Sequence, residues 1–200
     1  DHIVGHCLSP DGKTGYYIPI RHRKSPHVNL SITLVEEEMR RLGDSDSVAV
    51  FFNAAFDQEF LAYPGGAPLG TKWDDTKKWE DMALHAYIFN PRDKSRNLKD
   101  LSKLHLNMEM IELKELFPAD HHGKLDFAEL DPTDDPVLWY ACSDAICTYE
   151  LFGFFDPKIK DQPAALAIEK ICLPSVRWME RNRILIDGAK VAELIHLGQE

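Results

Sequence analysis

A short, unbroken apolar run constrains the fold more than any other feature of the sequence. It covers residues 48–52, reads Val-Ala-Val-Phe-Phe, and follows a polar loop at 44–47. A run this short and this rich in β-branched and aromatic residues is typical of a strand covered on both faces. It passes directly into residues 53–61, where Phe56 and Phe60 have helical spacing. A strand that leads straight into a helix predicts an α/β fold, and open α/β sheets bind their ligands at such junctions.

The N-terminal part of the chain predicts a hairpin and a helix. Two apolar stretches within residues 2–20 flank a turn at 10–13, a pattern typical of two antiparallel strands. Apolar residues at helical spacing predict a helix over 32–42, with Gly43 as its stop. We interpret the basic stretch at 21–27 as a solvated loop, with contact to phosphates as the alternative.

The rest of the chain predicts four further helices. The first carries Trp79 and ends before the Asn-Pro sequence at 90–91, and the second is a short helix capped by Asn97. The third and clearest begins at Asp135 as its N-cap, with proline at the first helical position. The fourth covers 163–182 and is kinked at an internal proline.

Two carboxylates in apolar surroundings are candidate functional groups. Asp57 follows Phe56 near the start of a helix, and Asp144 lies in the middle of the helix that begins at Asp135. Tyr140 is four residues before Asp144, so the two share a helix face. Burying a carboxylate costs several kcal/mol unless it is paired or bound to a cation. For Asp57, a stabilising role in the first helical turn is the alternative. The apolar stripe predicted to face the core on the same helix as Asp144 consists of Leu138, Ala141, Cys142, Ala145, Ile146, Tyr149 and Phe152.

The charge of the chain limits how it could contact nucleic acid. Its 200 residues include 33 acidic and 23 basic ones, for a formal net charge of -10. This argues against a protein that binds nucleic acid by neutralising many phosphates. Carboxylates that hold divalent cations add negative formal charge, yet present positive charge to a phosphate once the cations are bound. Composition therefore leaves metal-dependent contact with nucleic acid open.

The sequence also bears on location and cysteine chemistry. It contains no apolar run of about 18 or more residues and no signal-peptide pattern, which predicts a soluble, cytoplasmic protein without a membrane partner. No C-x-x-C pair occurs, so we interpret the cysteines as small buried thiols rather than disulfides or structural metal ligands. They are Cys7, Cys142, Cys147 and Cys172.

Several short motifs, in order, resemble one family. Residues 53–57 (Asn-Ala-Ala-Phe-Asp) resemble the second motif of DEDDy 3′–5′ exonucleases, and residues 140–144 (Tyr-Ala-Cys-Ser-Asp) resemble their third, Y-x-x-x-D motif. Residues 81–91 and 97–101 also fit the proofreading exonuclease domain of family A DNA polymerases. Residues 179–187 resemble the connection into the polymerase thumb, although such polymerases carry glycine where this chain has an arginine.

The resemblance implies an architecture and a domain organisation. It implies an RNase H-like exonuclease fold, a mixed sheet flanked by helices. Residues 1–160 would form the exonuclease-like domain, 161–187 a helical connection, and 188–200 the start of a thumb-like segment. The partners implied are a single-stranded DNA 3′ end and the remainder of a DNA polymerase, in a bacterial cell or a phage-infected host.

The same resemblance implies roles for individual residues. The family hydrolyses phosphodiesters with two divalent ions, Mg²⁺ or Mn²⁺, which prefer carboxylate oxygens. Asp144 would help hold the ion that activates water, and Asp57 would support the second ion. Tyr140 would orient the attacking water through its hydroxyl. The residues implied to contact the 3′-terminal nucleotides are Asn53, Phe56 and Leu98, with a core position as the alternative for Leu98.

One element of the family pattern is missing. The first motif, D-x-E on the first strand, should come just before the hairpin that begins at Ile3, and it does not occur there. We therefore expect an N-terminally truncated domain that lacks its first strand and has an incomplete two-metal site. Three functions follow as alternatives: a proofreading exonuclease domain, a catalytically silent scaffold of the same fold, and a stand-alone exonuclease acting on RNA. The thumb-like residues 179–187 count against the third.

Overall fold

The computed structural model describes residues 3–62, 77–183 and 187–197. Over these residues the protein is a mixed α/β structure, more than half helical, with two small two-stranded sheets. The predicted α/β class is therefore confirmed. Within the same ranges, none of the helices combines the length and apolar composition needed to cross a bilayer.

An antiparallel hairpin opens the described part of the chain, as the sequence predicts. Strand β1 (Gly5–Leu8) pairs with β2 (Tyr16–Pro19), with Gly5 opposite Pro19. The turn between them is closed by the Asp11 carboxylate, which accepts hydrogen bonds from the backbone N–H groups of Lys13 and Thr14. Gly12 adopts a φ of +70° there, a conformation that costs glycine little.

The basic stretch after the hairpin is not a freely solvated loop. His22 is 2% exposed, and its Nδ1 donates to the Leu130 carbonyl oxygen at 2.8 Å. Its Nε2 therefore accepts from the Tyr17 hydroxyl at 2.6 Å. Arg23 forms an ion pair with Asp126. The interpretation as a solvated loop is wrong for His22, which is buried against Leu130 from about a hundred residues later in the chain, whereas Arg23 remains exposed.

Helix α1 (Ile32–Asp44) is longer than predicted. Its Val35 and Met39 pack against Ile20 of the hairpin region in one buried cluster. The prediction of Gly43 as the helix stop is wrong, because Gly43 is a buried residue within the last turn and the cap is Ser45.

Two short parallel strands lie next to the candidate site. Strand β3 (Ala49–Phe51) pairs with β4 (Trp79–Asp81), with Ala49 opposite Trp79. The strand predicted at 48–52 is thus confirmed and pairs in parallel, although its residues are half-buried rather than fully covered. The helical assignment of Trp79 is wrong, because pairing with β3 holds this segment extended. Helix α3 (Met82–Phe89) begins only after Asp81.

The remaining helices follow the sequence prediction closely in position. Helix α2 starts directly after β3, and Asn97 caps α4 by accepting a hydrogen bond from the backbone N–H of Asp100 at 2.8 Å. The sequence also predicts a break of the helix at 63–68 and a short extended piece at 184–187, and of these residues 63–68 and 184–186 lie outside the described ones. The helices are α2 (Ala54–Ala62), α4 (Leu98–Leu106), α5 (Asp135–Phe155), α6 (Pro163–Asn182) and α7 (Gly188–Leu197).

Helix α5 is covered on more than one side, because α3, α4 and the hairpin all pack against it. Leu151 and Phe155 are fully buried, whereas Tyr149 of the predicted stripe is exposed. The predicted stripe is therefore only partly right, and the N-cap is Asp134 rather than Asp135. The residues that are buried on this helix are Val137, Ala141, Ser143, Ile146, Cys147, Thr148, Leu151 and Phe155.

The four cysteines are free thiols in different environments. Cys147 is buried, whereas Cys7 and Cys142 are half-buried. Cys172 is exposed on α6, so its assignment as a buried thiol is wrong. It lies on the face of α6 that carries exposed apolar side chains, where sequence pattern alone does not distinguish core from surface.

Candidate carboxylate site

The junction between β3 and α2 is fixed by a carboxylate from the neighbouring strand. Asn53 has a φ of +67°, a left-handed conformation that asparagine tolerates better than most residues. Its backbone N–H donates to Asp81 Oδ1 at 3.0 Å, and that of Ala54 donates to Asp81 Oδ2 at 2.8 Å. Asp81 also accepts from the backbone N–H of Ala83 at 2.9 Å, as the N-cap of α3. One side chain therefore ties both strand-to-helix junctions together.

Asp57 lies in the first turn of α2, directly after this junction. Burial raises the pKa of its carboxyl to about 7, and the nearby charges of Asp81 and Asp144 contribute to the increase. Like charges raise a pKa only when they are close, so the Asp57 carboxyl lies within electrostatic range of both Asp81 and Asp144. We call Asp57, Asp81 and Asp144 the carboxylate site.

Asp144 approaches this site from α5, far along the chain from Asp57. Burial raises the pKa of its carboxyl to about 6, and the positive charge of Lys99 opposes that increase. The structure thus brings together the two carboxylates that the sequence singled out. It also adds Asp81, a residue of the family-like segment at 81–91 for which the sequence suggested no role.

Tyr140 lies one turn before Asp144 on α5 and is half-buried. Burial raises the pKa of its hydroxyl, and the charge of Asp144 adds to the effect. Its ring contacts the Phe127 ring at a centroid distance of 5.6 Å. The Lys99 ammonium lies 5.4 Å from the centre of the same ring. The phenol that the resemblance assigns to water positioning therefore lies one helical turn from Asp144 and within its electrostatic range.

The residues predicted to contact nucleotides are placed differently from one another. Asn53 and Phe56 are both exposed near the start of α2, and Phe56 is 60% exposed. The Phe56 ring lies 4.8 Å from that of Phe60, so the two form an aromatic pair at the surface. Leu98 instead packs against the buried cluster that contains Leu101 and Leu151. Its placement agrees with the core position given as the alternative.

The donor chemistry at the carboxylate site suits a hard divalent cation. Carboxyl groups whose pKa is raised by burial, and for Asp57 also by neighbouring acids, are stabilised in their charged form when a cation lies beside them. Carboxylate oxygens are also the ligands that Mg²⁺ and Mn²⁺ prefer. Across the described residues, however, no group of three or more His, Cys, Asp or Glu side chains is arranged to hold a metal ion. Asp57 and Asp144 therefore fit such an ion by chemistry but do not form a complete cage.

Two residues of the site region escaped the sequence interpretation. Asp81 precedes a helix, which indicates an N-cap, but its bonds to Asn53 and Ala54 depend on the pairing of β3 with β4. Lys99 reads as an ordinary residue in the first turn of a short helix. Its contact with Tyr140 depends on how α4 packs against α5. Neither relation leaves a signal in local sequence.

No protein-family model matches the sequence, and no curated protein matches it significantly. The resemblance to family A exonuclease motifs therefore stays a prediction.

Proposed function

We propose that this chain is the 3′–5′ exonuclease domain of a family A DNA polymerase, with an RNase H-like fold, and that it removes nucleotides from DNA 3′ ends. One observation carries the proposal. Asp57 and Asp144, which come from separate motifs, lie within electrostatic range of each other in half-buried positions. Tyr140 stands one turn from Asp144 on the same helix. The charges that act on the Asp57 carboxyl are those of two other acids, whereas a structural acid would be paired with a cation.

The chemistry proposed is hydrolysis of the terminal phosphodiester. Bound Mg²⁺ or Mn²⁺ would supply charge stabilisation for the attacking and leaving oxygens. Asp57 and Asp144 would hold the cations, and the Tyr140 hydroxyl would orient the attacking water. Excision of a mispaired terminus would then return the primer to the polymerase part of the enzyme.

The proposed substrate is single-stranded DNA. Phe56 and Phe60 present aromatic surface beside the carboxylate site, and base stacking on such a surface tolerates any sequence. Asn53 lies at the same end of α2 and offers an amide to the terminal nucleotide. The net charge of -10 is compatible with this mode, because contact is local and mediated by cations rather than by a broad basic surface.

A catalytically silent scaffold is the second candidate. It is favoured by the lack, among residues 3–62, 77–183 and 187–197, of a third side chain arranged to complete a metal site. In this case the fold would support a polymerase or another partner without hydrolysis. The two candidates differ in a single observable, metal-dependent shortening of DNA.

The deciding experiment follows a 5′-labelled single-stranded DNA in the presence of Mg²⁺ or Mn²⁺. We expect a ladder that shortens from the 3′ end, is lost in Asp144→Ala, and falls about tenfold in Tyr140→Phe, which lacks the water-positioning hydroxyl. Asp161→Ala removes an exposed carboxylate in the turn after α5 and should leave the ladder unchanged.

Each other result has a definite meaning. Intact DNA with both metals contradicts hydrolysis and supports the silent scaffold. A normal rate in Asp144→Ala overturns the assignment of the site. Faster degradation of an RNA oligonucleotide of the same sequence would replace the proofreading role with that of an RNA exonuclease.

A further inference from the structure

Lys99, near the start of α4, is held more tightly than a surface lysine. Its Nζ donates to the Ile111 carbonyl oxygen at 2.7 Å and forms an ion pair with Glu112 at 2.9 Å. The same ammonium lies 5.4 Å from the centre of the Tyr140 ring. Its side chain is 25% exposed. A cation that is fixed by two oxygen partners and partly removed from water interacts more strongly with an aromatic face.

Lys103, the next lysine on the same helix face, has an ordinary solvent-exposed position. Lys103 is one turn further along α4, and its ammonium pairs with Glu109 at 2.8 Å. Its side chain is 69% exposed, and exposed pairs of this kind contribute little to stability. Lys103 therefore provides a matched control with the same residue type and the same helix.

Tyr140 has a second restraint that does not depend on charge. The Phe127 ring contacts it at 5.6 Å with an interplanar angle of 37°. Phe127 is itself fixed by edge contacts with the rings of Tyr17 and His22. The Tyr140 ring is thus restrained by α4 through Lys99 and by the 3₁₀ turn Phe127–Glu129, in addition to its own helix.

We propose that Lys99 is a positioning residue for Tyr140: its ammonium, fixed by Ile111 and Glu112, holds the phenol ring in the orientation that keeps the hydroxyl beside Asp144. The catalytic consequence of this inference rests on the proposed function, in which that hydroxyl holds the attacking water. Lys99 acts through Tyr140 and touches neither water nor DNA in this role. Its charge also opposes the protonation of Asp144, in agreement with a position close to both residues.

The placement of the ring can be tested without any measurement of activity. A fluorotyrosine is incorporated at position 140 and its fluorine NMR resonance is recorded in the otherwise unchanged chain. Lys99→Met keeps most of the aliphatic stem but removes the ammonium, so we expect the resonance to shift and broaden. Lys103→Met should leave it unchanged. Lys99→Arg retains a cation and should move the resonance back towards its original position.

The catalytic consequence is tested with a double-mutant cycle on the labelled DNA. We expect Lys99→Met to lower kcat about tenfold with little change in KM, because a misplaced hydroxyl affects the reaction rather than DNA binding. In a Tyr140→Phe background, the same substitution should change kcat by less than about twofold, since no hydroxyl is left to position. Lys103→Met should have no effect in either background.

The outcomes separate this inference from the proposed function. If the unsubstituted chain does not cleave DNA, the proposed function fails, and the fluorine resonance alone decides whether Lys99 holds the ring. An unshifted resonance in Lys99→Met overturns the positioning role. An equal loss of kcat in both backgrounds also overturns it, because Lys99 would then act independently of Tyr140. If circular dichroism shows that Lys99→Met is unfolded, the same measurements are made on Lys99→Gln and Lys99→Arg.

Discussion

In two partly buried groups of charged residues, the pKa of a carboxyl shifts in opposite directions. At the carboxylate site, burial and neighbouring acids raise the pKa of Asp57. At the contact between β4 and α6, burial alone would also raise the pKa of Glu80, but hydrogen bonds from His85 and Lys170 outweigh it and lower the value. Both acids lie near the same short strand. Glu80 therefore has cationic partners within the protein, whereas the charges that act on the Asp57 carboxyl are those of two other acids.

The contacts of Glu80 with Lys170 and His85 join strand β4 to helices α6 and α3. Lys170 of α6 is buried, and its Nζ donates to the Trp79 carbonyl oxygen and to Glu80 Oε1 at 2.9 Å. Glu80 Oε2 lies 3.0 Å from His85 Nε2. A little further along α6, Arg181 forms an ion pair with Glu59. Glu80 and Glu59 therefore each have a cationic partner, whereas the charges that act on Asp57 are those of other acids.

The largest expected effect comes from breaking the structural group. Lys170→Met keeps the aliphatic stem but leaves Glu80 and the Trp79 carbonyl without the ammonium. We expect the free energy of unfolding to fall by about 3 kcal/mol, since removing one partner of a buried pair strands the other. Urea denaturation measures this, with the exposed Lys160→Met as the control. A loss below about 0.5 kcal/mol would show that the pair contributes no more than a surface ion pair.

Removing a charge from the carboxylate site should instead increase the free energy of unfolding. The pKa of Asp57 is raised in the folded state, so the folded protein binds more protons than the unfolded chain between pH 4 and 7, and its stability falls as the pH rises through that window. Asp57→Asn lacks this penalty. With a chelator present, we expect the free energy of unfolding of Asp57→Asn to exceed that of the unsubstituted protein by on the order of 2 kcal/mol at pH 8. Near pH 4 the two free energies should be equal.

The measurement is urea denaturation of both proteins across this pH range. Asp161→Asn, which changes an exposed acid, serves as the control and should follow the unsubstituted protein at every pH. A destabilised Asp57→Asn at pH 8 would mean that the Asp57 carboxylate already has a favourable partner in the folded protein, and the contrast with Glu80 would be lost.

The smallest expected effect separates the two groups by their response to Mg²⁺. We expect excess Mg²⁺ to raise the Tm by about 3 °C at pH 8, because binding to the folded state alone is stabilising. The increase should disappear in Asp144→Asn and persist in Glu80→Gln, whose site is already occupied by Lys170 and His85. Differential scanning calorimetry gives the Tm values. An equal increase in Asp144→Asn and the unsubstituted protein would place Mg²⁺ binding elsewhere.

The sequence predicted those features whose causes lie close together in the chain. The hairpin depends on a local turn, the start of α4 depends on Asn97 and Asp100, and the β3–α2 junction follows from an apolar run next to a helical pattern. The position of Asp57 at that junction was predicted for the same reason. Each of these features can be predicted because the residues that determine it are close together in the sequence.

The features that the sequence did not predict depend on distant partners. Strand β4 is extended because it pairs with β3, although Trp79 fits a helical pattern. His22 is buried because Leu130 and Tyr17 satisfy its two ring nitrogens. Lys99 belongs to the site because α4 packs against α5. Each relation becomes visible only when elements far apart in the chain are placed next to each other.

The bonds of Asp81 to the β3–α2 junction have a consequence for the order in which the chain folds. Asn53 and Asp81 are 28 positions apart, whereas Asp144 follows much later. During synthesis the junction can therefore close before α5 has been made, and we expect Asp57 and Asp81 to face each other first. Pulse-labelled hydrogen exchange would reveal this as protection of the Asn53 and Ala54 amides before that of α5. Asp144 would then join Asp57 and Asp81 last, when α5 packs against the rest of the protein. The packing of α5 offsets the repulsion between the Asp144 carboxylate and that of Asp57.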